Sequence, residues 1–193
     1  MNFVPKKLFL TKGVGRHKEK LASFELALRD AGIAYLNLVN VSSIFPPHCK
    51  LITRRVGLKY FRPGQIGFCV MSRDATNEPN RLVSSSIGIA MPKDKSKFGY
   101  LSEHHGFGQT QKVAGDYAED LAVQMLATTM GLEIDLDKSW DQNKEQWKLK
   151  GEVVYSRNIT QSAEGEKNGM WTTVITAAML ILNDDIAEDE DDE

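Results

Sequence analysis

The sequence predicts an α+β fold that is dominated by strands. Segments rich in β-branched, aromatic and small apolar residues outnumber the segments with a helical repeat. The helical segments do not alternate regularly with the strands, which argues against a doubly wound sheet. The chain has 193 residues, of which 41% are hydrophobic and 26% charged, as in soluble globular proteins. We therefore expect one domain over residues 1–182.

The N-terminal part is predicted to form a strand, a turn, a helix and a second strand. Residues 8–10 are a short apolar strand, and the two glycines within residues 12–16 indicate a turn. Residues 17–31 are predicted to be helical, with Gly32 as the stop. The apolar face of this helix is predicted to consist of Leu21, Phe24, Leu28 and Ala31. The run 34–41 is rich in β-formers and predicts the next strand.

The rest of the chain is predicted to be mostly strands around one long helix. The predicted strands are 65–71, 82–91, 98–104, 151–159 and 171–182. Thr110 is a candidate N-cap for a helix to Met130. The predicted buried stripe of that helix is Val113, Tyr117, Leu121 and Met125. Residues 140–147 are interpreted as a helical excursion or an insertion.

Charge is distributed unevenly along the chain. The net charge is −2, but residues 184–193 contain eight acidic side chains and no basic one. The remainder carries 24 basic and 18 acidic side chains, a net of about +6. We expect residues 183–193 to be a disordered acidic tail, with shielding of a basic face as the alternative. The basic residues are scattered without interleaved aromatic residues, so no nucleic-acid partner is expected.

Composition also limits the location and the metal chemistry. No apolar run approaches the roughly 20 residues that span a bilayer, and the N-terminus lacks the charge order of a signal peptide. No membrane partner is therefore expected, and we expect a cytoplasmic protein. Cys49 and Cys69 have no metal-like spacing, and His104 and His105 would face opposite sides of a strand, so no metal is expected.

The most informative motif is the pair Ser42-Ser43, between the apolar strand and Pro46-Pro47. Neither proline can continue a central strand, so the serines lie where a strand meets a rigid turn and backbone strain can be held. A hydroxyl on the C-terminal side of such a peptide bond can attack the carbonyl carbon and replace the amide by an ester. Elimination then leaves dehydroalanine, which hydrolyses to a pyruvoyl group.

This motif and its surroundings resemble the pyruvoyl-dependent arginine decarboxylases. The similarity runs from about Leu21 to about Leu182. Its most specific blocks are residues 31–33, 37–39 and 41–47 around the serine pair, followed by 89–96 and 99–106. The resemblance implies a four-layer αββα sandwich of mostly antiparallel sheets, cleavage into residues 1–42 and 43–193, and a homotrimer or higher assembly.

The resemblance also implies the activity and the cofactor. A pyruvoyl group made from Ser43 would form an imine with arginine and accept the electrons left by carbon dioxide, giving agmatine without pyridoxal phosphate or a metal. The product suits polyamine synthesis, and the reaction consumes a proton, which also suits acid resistance. Glu103 matches the proton donor of the family, a role that requires a carboxyl pKa raised to roughly 6.

Two further residues are implied by the resemblance. Asn37 matches an amide near the reactive centre, but it lies six residues before Ser43, on the order of 20 Å along an extended strand. We therefore expect Asn37 to act across a subunit interface, unless the chain folds back. Glu25 matches the position of an aspartate that binds the substrate guanidinium, for which a carboxylate offers two parallel hydrogen bonds. Its extra methylene leaves the depth of the pocket open.

Three alternatives remain open from the sequence. The chain could act on another amino acid, or it could be an unprocessed β-sandwich binding module of the same fold. A serine hydrolase using Ser43 with His48 or His104 is a third reading. That reading lacks a nucleophile-elbow motif and an ordered triad.

Overall fold

The computed structural model describes residues 3–132, 140–141, 146–149 and 152–182. The strands are β1 (Lys7–His17), β2 (Asn37–Asn40), β3 (Ile44–Phe45), β4 (Lys50–Ile52), β5 (Ile66–Thr76), β6 (Leu82–Pro92), β7 (Gly99–Phe107), β8 (Trp140–Asp141), β9 (Gln146–Leu149), β10 (Glu152–Glu164) and β11 (Trp171–Ile181). The helices are α1 (Lys20–Asp30), α2 (Arg54–Leu58) and α3 (Gln111–Thr129). None of these helices is long and apolar enough to cross a membrane.

The strands form two sheets that pack face to face. One sheet has the order β2-β5-β11-β1-β4, and the other has the order β3-β7-β6-β10-β9-β8. Only the pairs β1–β4 and β2–β5 are parallel among the described strands. Helix α1 packs on β1 and β11, and α3 packs on β6, β7 and β10. The predicted α+β class and the four-layer sandwich are confirmed.

Three apolar clusters separate the four layers. Neighbouring residues on a strand serve different layers, since Phe9 packs in the cluster under α1 and Leu8 in the cluster between the sheets. Leu126 and Val154 belong to the third cluster, under α3. The space between the sheets also contains buried hydroxyl groups, because the Ser85 hydroxyl donates to the Ser72 carbonyl oxygen at 2.8 Å.

The glycine turn predicted at residues 12–16 is wrong, because β1 continues to His17. These glycines allow α1 to lie close to the sheet. A Cβ atom at Gly13 would lie 2.1 Å from the Ala27 carbonyl oxygen, and one at Gly15 would lie 2.1 Å from that of Ser23. Glycine here serves the packing of helix on strand rather than a change of chain direction.

Both long helices form where predicted, and the predicted apolar face of α1 is wrong only at Leu21, since Phe24, Leu28 and Ala31 pack in the cluster under this helix. In α1 the fully buried residues are Ser23 and Ala27, while Leu21 is 79% exposed. In α3 the predicted stripe is wrong at Val113 and Tyr117, which are exposed. The buried face of α3 consists mainly of small residues: Ala114, Gly115, Ala118, Ala122, Val123, Leu126 and Ala127. The capping prediction is confirmed, since Thr110 Oγ1 accepts the Val113 N–H at 3.4 Å.

The C-terminal region differs from the prediction in two ways. Residues 140–141 and 146–149 form strands rather than a helical segment, and the residues between them lie outside the described part of the chain. The last two long strands do not pair with each other. Instead, β10 joins β6 and β9, whereas β11 lies between β1 and β5 in the other sheet. The predicted tail 183–193 also lies outside the described residues.

Candidate active site

The serine pair lies where the chain crosses from one sheet to the other. In the five-stranded sheet, the last bond on this side runs from the Val41 N–H to the Cys69 carbonyl oxygen at 2.9 Å. In the six-stranded sheet, the first bond runs from the Leu101 N–H to the Ser43 carbonyl oxygen at 2.8 Å. Ser42 is exposed and Ser43 is half-buried. The segment 42–43 therefore bridges the edge strands β2 and β3, and we refer to it as the crossover.

The backbone at the crossover forms a three-residue turn. The Ile44 N–H donates to the Ser42 carbonyl oxygen at 2.9 Å, and the central residue Ser43 does not have a positive φ. This is an inverse γ-turn, a common conformation at strand ends. The backbone strain expected at the serine pair does not take the form of a positive φ at either serine. Instead, the carbonyl that the Ser43 hydroxyl would attack already carries a hydrogen-bond donor on its oxygen.

Glu103 lies beside the crossover because of the strand register. Tyr100 of β7 pairs with Ile44 of β3, so Leu101 bonds to Ser43 and Glu103 follows two residues later, about 7 Å further along β7. Glu103 is on the same face as Leu101, which is buried between the sheets. The structure thus brings Glu103 and the serine pair to the same end of the sandwich within one chain.

The Glu103 carboxylate lies near the open edge of the opposite sheet. The backbone N–H of Met71 in β5 interacts with it and lowers its pKa. This N–H is available because β2 pairs with β5 only as far as Asn40 and Cys69, with one more bond from Val41. Where the chain leaves β5 to form the crossover, it exposes the Met71 amide to the Glu103 carboxylate.

A buried hydroxyl ties the two sheets together at the same place. The Ser72 hydroxyl donates to the carbonyl oxygen of His104 at 2.7 Å, and Ser72 is only 2% exposed. Because Ser72 follows Met71 and His104 follows Glu103, this bond fixes β5 and β7 next to the carboxylate. Sequence reasoning missed Ser72 and Met71, since a serine and a backbone amide in a strand carry no local functional signal.

Burial favours the protonated form of Glu103. Desolvation of the carboxyl raises the pKa of Glu103 above its ordinary value, and the Met71 N–H and the nearby His105 offset only part of this rise. The pKa of the neighbouring Cys69 thiol is raised to about 12, by burial first and by the Glu103 charge second. Cys69 therefore stays neutral, and its thiol donates to Asn40 Oδ1 at 3.3 Å.

Asn37 and Glu25 lie away from the crossover. The Asn37 Nδ2 group donates to the Gly64 carbonyl oxygen at 2.7 Å, at the start of β2. Glu25 lies on α1, where its Oε1 atom accepts from Arg29 Nε at 2.8 Å while its Oε2 atom is buried without a hydrogen-bond partner. Within one chain neither residue is brought together with Ser43.

The histidines considered for a serine hydrolase face other partners. His104 Nε2 lies 2.7 Å from Gln109 Oε1, and its ring packs against Tyr117 of α3, on the side of the sheet opposite to Glu103. His48 is exposed, with a left-handed φ of 57°. No hydrogen bond joins either ring to Ser43 in the part of the chain that the structure describes. Among those residues, no group of three or more metal-ligating side chains is placed to hold an ion.

Comparisons with known proteins assign the class of the chain. The family model for pyruvoyl-dependent arginine decarboxylase matches residues 7–185. A protein of Chloroherpeton thalassium named probable pyruvoyl-dependent arginine decarboxylase is 62% identical over 181 residues, covering 94% of this chain and 100% of that protein. Pyruvoyl-dependent arginine decarboxylase of Nitrosopumilus maritimus is 57% identical over 182 residues, covering 94% and 100%.

A more distant relative, pyruvoyl-dependent arginine decarboxylase 2 of Methanosarcina acetivorans, is 52% identical over 180 residues, covering 93% of this chain and 98% of that protein. The chain belongs to the pyruvoyl-dependent arginine decarboxylase family. It is therefore a decarboxylase of the class that uses a covalently bound pyruvoyl group. The resemblance noted in the sequence is confirmed.

The crossover fits such a group. Forming it requires a hydroxyl or thiol residue after the peptide bond that breaks, and Ser43 supplies one at a half-buried turn. It also requires that the oxygen of the attacked carbonyl be stabilised, and the Ile44 N–H lies 2.9 Å from the Ser42 oxygen. A carboxyl with a raised pKa lies on the adjoining strand, which suits proton transfer next to the same position.

Proposed function

We propose that the chain decarboxylates arginine to agmatine with a pyruvoyl group made from its own Ser43. The observation that carries this proposal is the geometry of the crossover. There the Ser42 carbonyl carries an N–H donor, and Glu103 extends from the neighbouring strand to the opposite sheet. The names of the relatives support arginine as the substrate.

In the first stage, the chain cuts itself between Ser42 and Ser43. The Ser43 hydroxyl oxygen attacks the Ser42 carbonyl carbon, and the Ile44 N–H stabilises the negative charge on the carbonyl oxygen. The C–N bond breaks, so an ester replaces the amide. Elimination releases residues 1–42 with a free carboxylate and leaves dehydroalanine at position 43. Water then replaces the nitrogen, ammonia leaves, and residues 43–193 begin with a pyruvoyl group.

In the second stage, the substrate loses carbon dioxide and the chain supplies a proton to its α-carbon. The pyruvoyl group provides an electron sink for the pair of electrons left when carbon dioxide departs. Glu103 holds the proton that replaces the carboxylate on the α-carbon. Its raised pKa keeps a larger share of the carboxyl protonated than an ordinary glutamate would have at the same pH.

The active site in this proposal uses a second subunit. Asn37 has a catalytic role in this proposal: its amide holds the Ser42 carbonyl during cleavage, or the reacting groups during turnover. It acts on the Ser43 position of a neighbouring chain in a homotrimer or a higher assembly, because an extended strand separates the two residues within one chain. Glu25 binds the guanidinium group of arginine, for which a carboxylate offers two parallel hydrogen bonds. The chain works as one domain, residues 1–182, in the cytoplasm.

Intact mass measured under denaturing conditions tests the proposal. We expect two species that correspond to residues 1–42 and 43–193, the second with a blocked N-terminus. Borohydride added together with arginine should fix arginine covalently to the larger fragment. Among the basic amino acids, only arginine should be decarboxylated, with agmatine as the product. A single intact chain that gives no reducible adduct would instead identify an unprocessed binding module. Turnover of a different amino acid would correct the substrate alone.

A further inference from the structure

Several lysine side chains lie at the end of the sandwich where the described part of the chain ends, at Leu182. Lys7 pairs with Ile181 of β11 on one side and with Lys50 of β4 on the other. The register therefore places Lys6 next to Leu182, about 5 Å away across the strands, and Lys50 one strand further. Lys6 and Lys50 are both exposed, and the Lys50 N–H donates to the Lys6 carbonyl oxygen at 2.9 Å.

The row of basic residues continues onto the loop between β6 and β7. The His48 N–H donates to the Lys95 carbonyl oxygen at 2.7 Å, which joins this loop to the segment that precedes Lys50. His48, Lys93 and Lys95 are exposed and line a cleft of about 940 Å³. We call this set the basic band, and it consists of Lys6, His48, Lys50, Lys93 and Lys95.

The acidic side chains near the band already have other partners. Asp94 accepts hydrogen bonds from both the backbone and the hydroxyl of Ser96, which lower its pKa. On the opposite wall of the cleft, Glu119 accepts from Ser156 at 2.6 Å and from Asn158 at 2.5 Å. These bonds orient the two carboxylates but leave their negative charges, and Asp94 also interacts with His48 and Lys97. Asp116, which lines the same cleft, is paired with Lys112. The four lysines of the band outnumber Asp94 and Glu119, so its net charge stays positive.

The segment that follows Leu182 has the opposite charge and begins beside the band. Leu182 lines an apolar hollow of about 510 Å³ with Ile44, Pro46 and Pro47, and Pro46 also lines the cleft. The first acidic residue is Asp184, and eight of the residues 184–193 are acidic. Residues 183–193, fully extended, reach at most about 40 Å from Leu182.

We propose that the acidic segment 183–193 lies across the basic band of its own chain and shields it. Charge complementarity and the place where the segment starts support this occupant. The segment mostly follows the family match, which ends at residue 185. The pairs are exposed and therefore sensitive to salt, so the segment competes with any polyanion for the band. This proposal does not rest on the chemistry assigned to Ser43.

Zero-length cross-linking tests the contact directly. A water-soluble carbodiimide joins a carboxylate to an amine only when the two touch. Peptide mapping of the treated full chain should show the segment 183–193 joined to Lys50, Lys93 and Lys95 in low salt, with a clear loss at 0.5 M salt. Lys18 and Lys167 are exposed at the opposite end of β1 and serve as internal controls.

Two results of this experiment would overturn the proposal. Cross-links that are as frequent at Lys18 and Lys167 as at the band would mean that the segment has no preferred surface. Cross-links that join two chains, seen as a product of twice the fragment mass on a denaturing gel, would mean that the segment binds a second copy instead.

Heparin binding tests the shielding. A variant in which the eight acids are replaced by their amides keeps the length of the segment and should bind heparin roughly tenfold more tightly at low salt, since several pairs each contribute a factor of about two. Adding Lys50→Glu and Lys95→Glu to this variant should abolish the gain. Unchanged binding in the first variant, or a gain that survives in the second, would contradict the proposal.

Discussion

The crossover and the region of α1 and early β2 differ in what one chain brings together. At the crossover, Ser43 and Glu103 lie next to each other across adjoining strands. The Ile44 N–H donates to the Ser42 carbonyl oxygen, and the Met71 N–H lowers the pKa of Glu103. In the other region, Asn37 bonds to Gly64 and Glu25 bonds to Arg29, and neither contacts the crossover. One chain therefore brings Ser43 and Glu103 together, but it does not bring the proposed catalytic amide of Asn37 or the proposed substrate ligand Glu25 to them.

The difference has a simple cause in strand geometry. Residues on paired strands are held within a few ångströms of each other by the register, whereas residues separated along one strand are held apart by it. Strand pairing therefore holds Glu103 near Ser43, whereas the extended chain holds Asn37 away from Ser43. If the proposed roles are right, the two regions must respond differently to mutation, and the response should depend on assembly only for the second region.

The largest expected effect comes from Ser43→Ala at the crossover. Without the hydroxyl there is no group to attack the Ser42 carbonyl, so we expect one uncut chain and no decarboxylation above background. Ser42→Ala is the matched control, because it removes a neighbouring hydroxyl but leaves the attacking one, and it should still be cut. Intact mass and carbon dioxide release measure the two outcomes. Cleavage of the Ser43→Ala chain would remove the crossover from the mechanism.

Glu103→Gln should separate cleavage from turnover. The amide keeps the size of the side chain but cannot donate a proton as a carboxyl does, so we expect cut chains whose kcat is lower by about 10²–10⁴. Intact mass reports the cleavage, and single-turnover kinetics report the proton step. Glu103→Asp keeps an acid on a shorter side chain and should retain more activity. A cut Glu103→Gln enzyme with normal kcat would place the proton donor elsewhere.

The raised pKa of Glu103 predicts a pH dependence in turnover and in stability. Because the acid form donates the proton, kcat should fall about tenfold per pH unit above the folded-state pKa. The folded state binds this proton more tightly than the unfolded state does. Its stabilisation is therefore fully present below the unfolded pKa and is lost as the pH rises through the raised folded pKa.

Glu103→Gln is also the reference for the stability measurement. The difference in Tm between the wild-type chain and this variant should change across that pH window in the stated direction. A difference that is flat with pH, or one that grows as the pH rises, would mean that the carboxyl is not desolvated in the folded protein.

The α+β class and the position of the serine pair at the end of a strand could be predicted from the sequence because their signals are local. The strands carry β-forming residues, and the serine pair precedes two prolines, so both are visible in short windows. Gly13 and Gly15 were misread because a turn and a close helix contact both favour glycine. Only the position of Ala27 and Ser23 above the strand distinguishes the two, and this depends on tertiary packing.

The contacts of Met71 and Ser72 near Glu103 could not be predicted either, because they also depend on tertiary packing. The Met71 N–H is available only because β2 leaves β5 one residue after Asn40, and the Ser72 hydroxyl reaches His104 only because two sheets face each other. Such contacts join residues far apart in sequence and leave no pattern in either segment. The predicted stripe of α3 was wrong in a related way, since small residues rather than large ones face the sheet there.

Glu25→Gln probes the second region. Loss of the carboxylate charge should weaken arginine binding and raise KM roughly tenfold, about the difference between a charge-assisted and a neutral hydrogen bond, with little effect on cleavage. Arg29→Ala is the matched control. It removes the partner seen at 2.8 Å and leaves Glu25 available to the substrate, so KM should stay the same or fall. An unchanged KM in Glu25→Gln would remove this residue from the substrate pocket.

The smallest effect, and the one that decides between one chain and two, comes from mixed assemblies. Ser43→Ala and Asn37→Ala chains are expected to be inactive by themselves. If each site takes Ser43 from one chain and Asn37 from its neighbour, coexpression in equal amounts restores about a quarter of the wild-type activity, since one site in four receives both intact residues in a symmetric ring. If both residues act within one chain, every site lacks one of them and the mixture stays inactive. The result would then require the chain to fold back between Asn37 and Ser43, against the extended β2 strand.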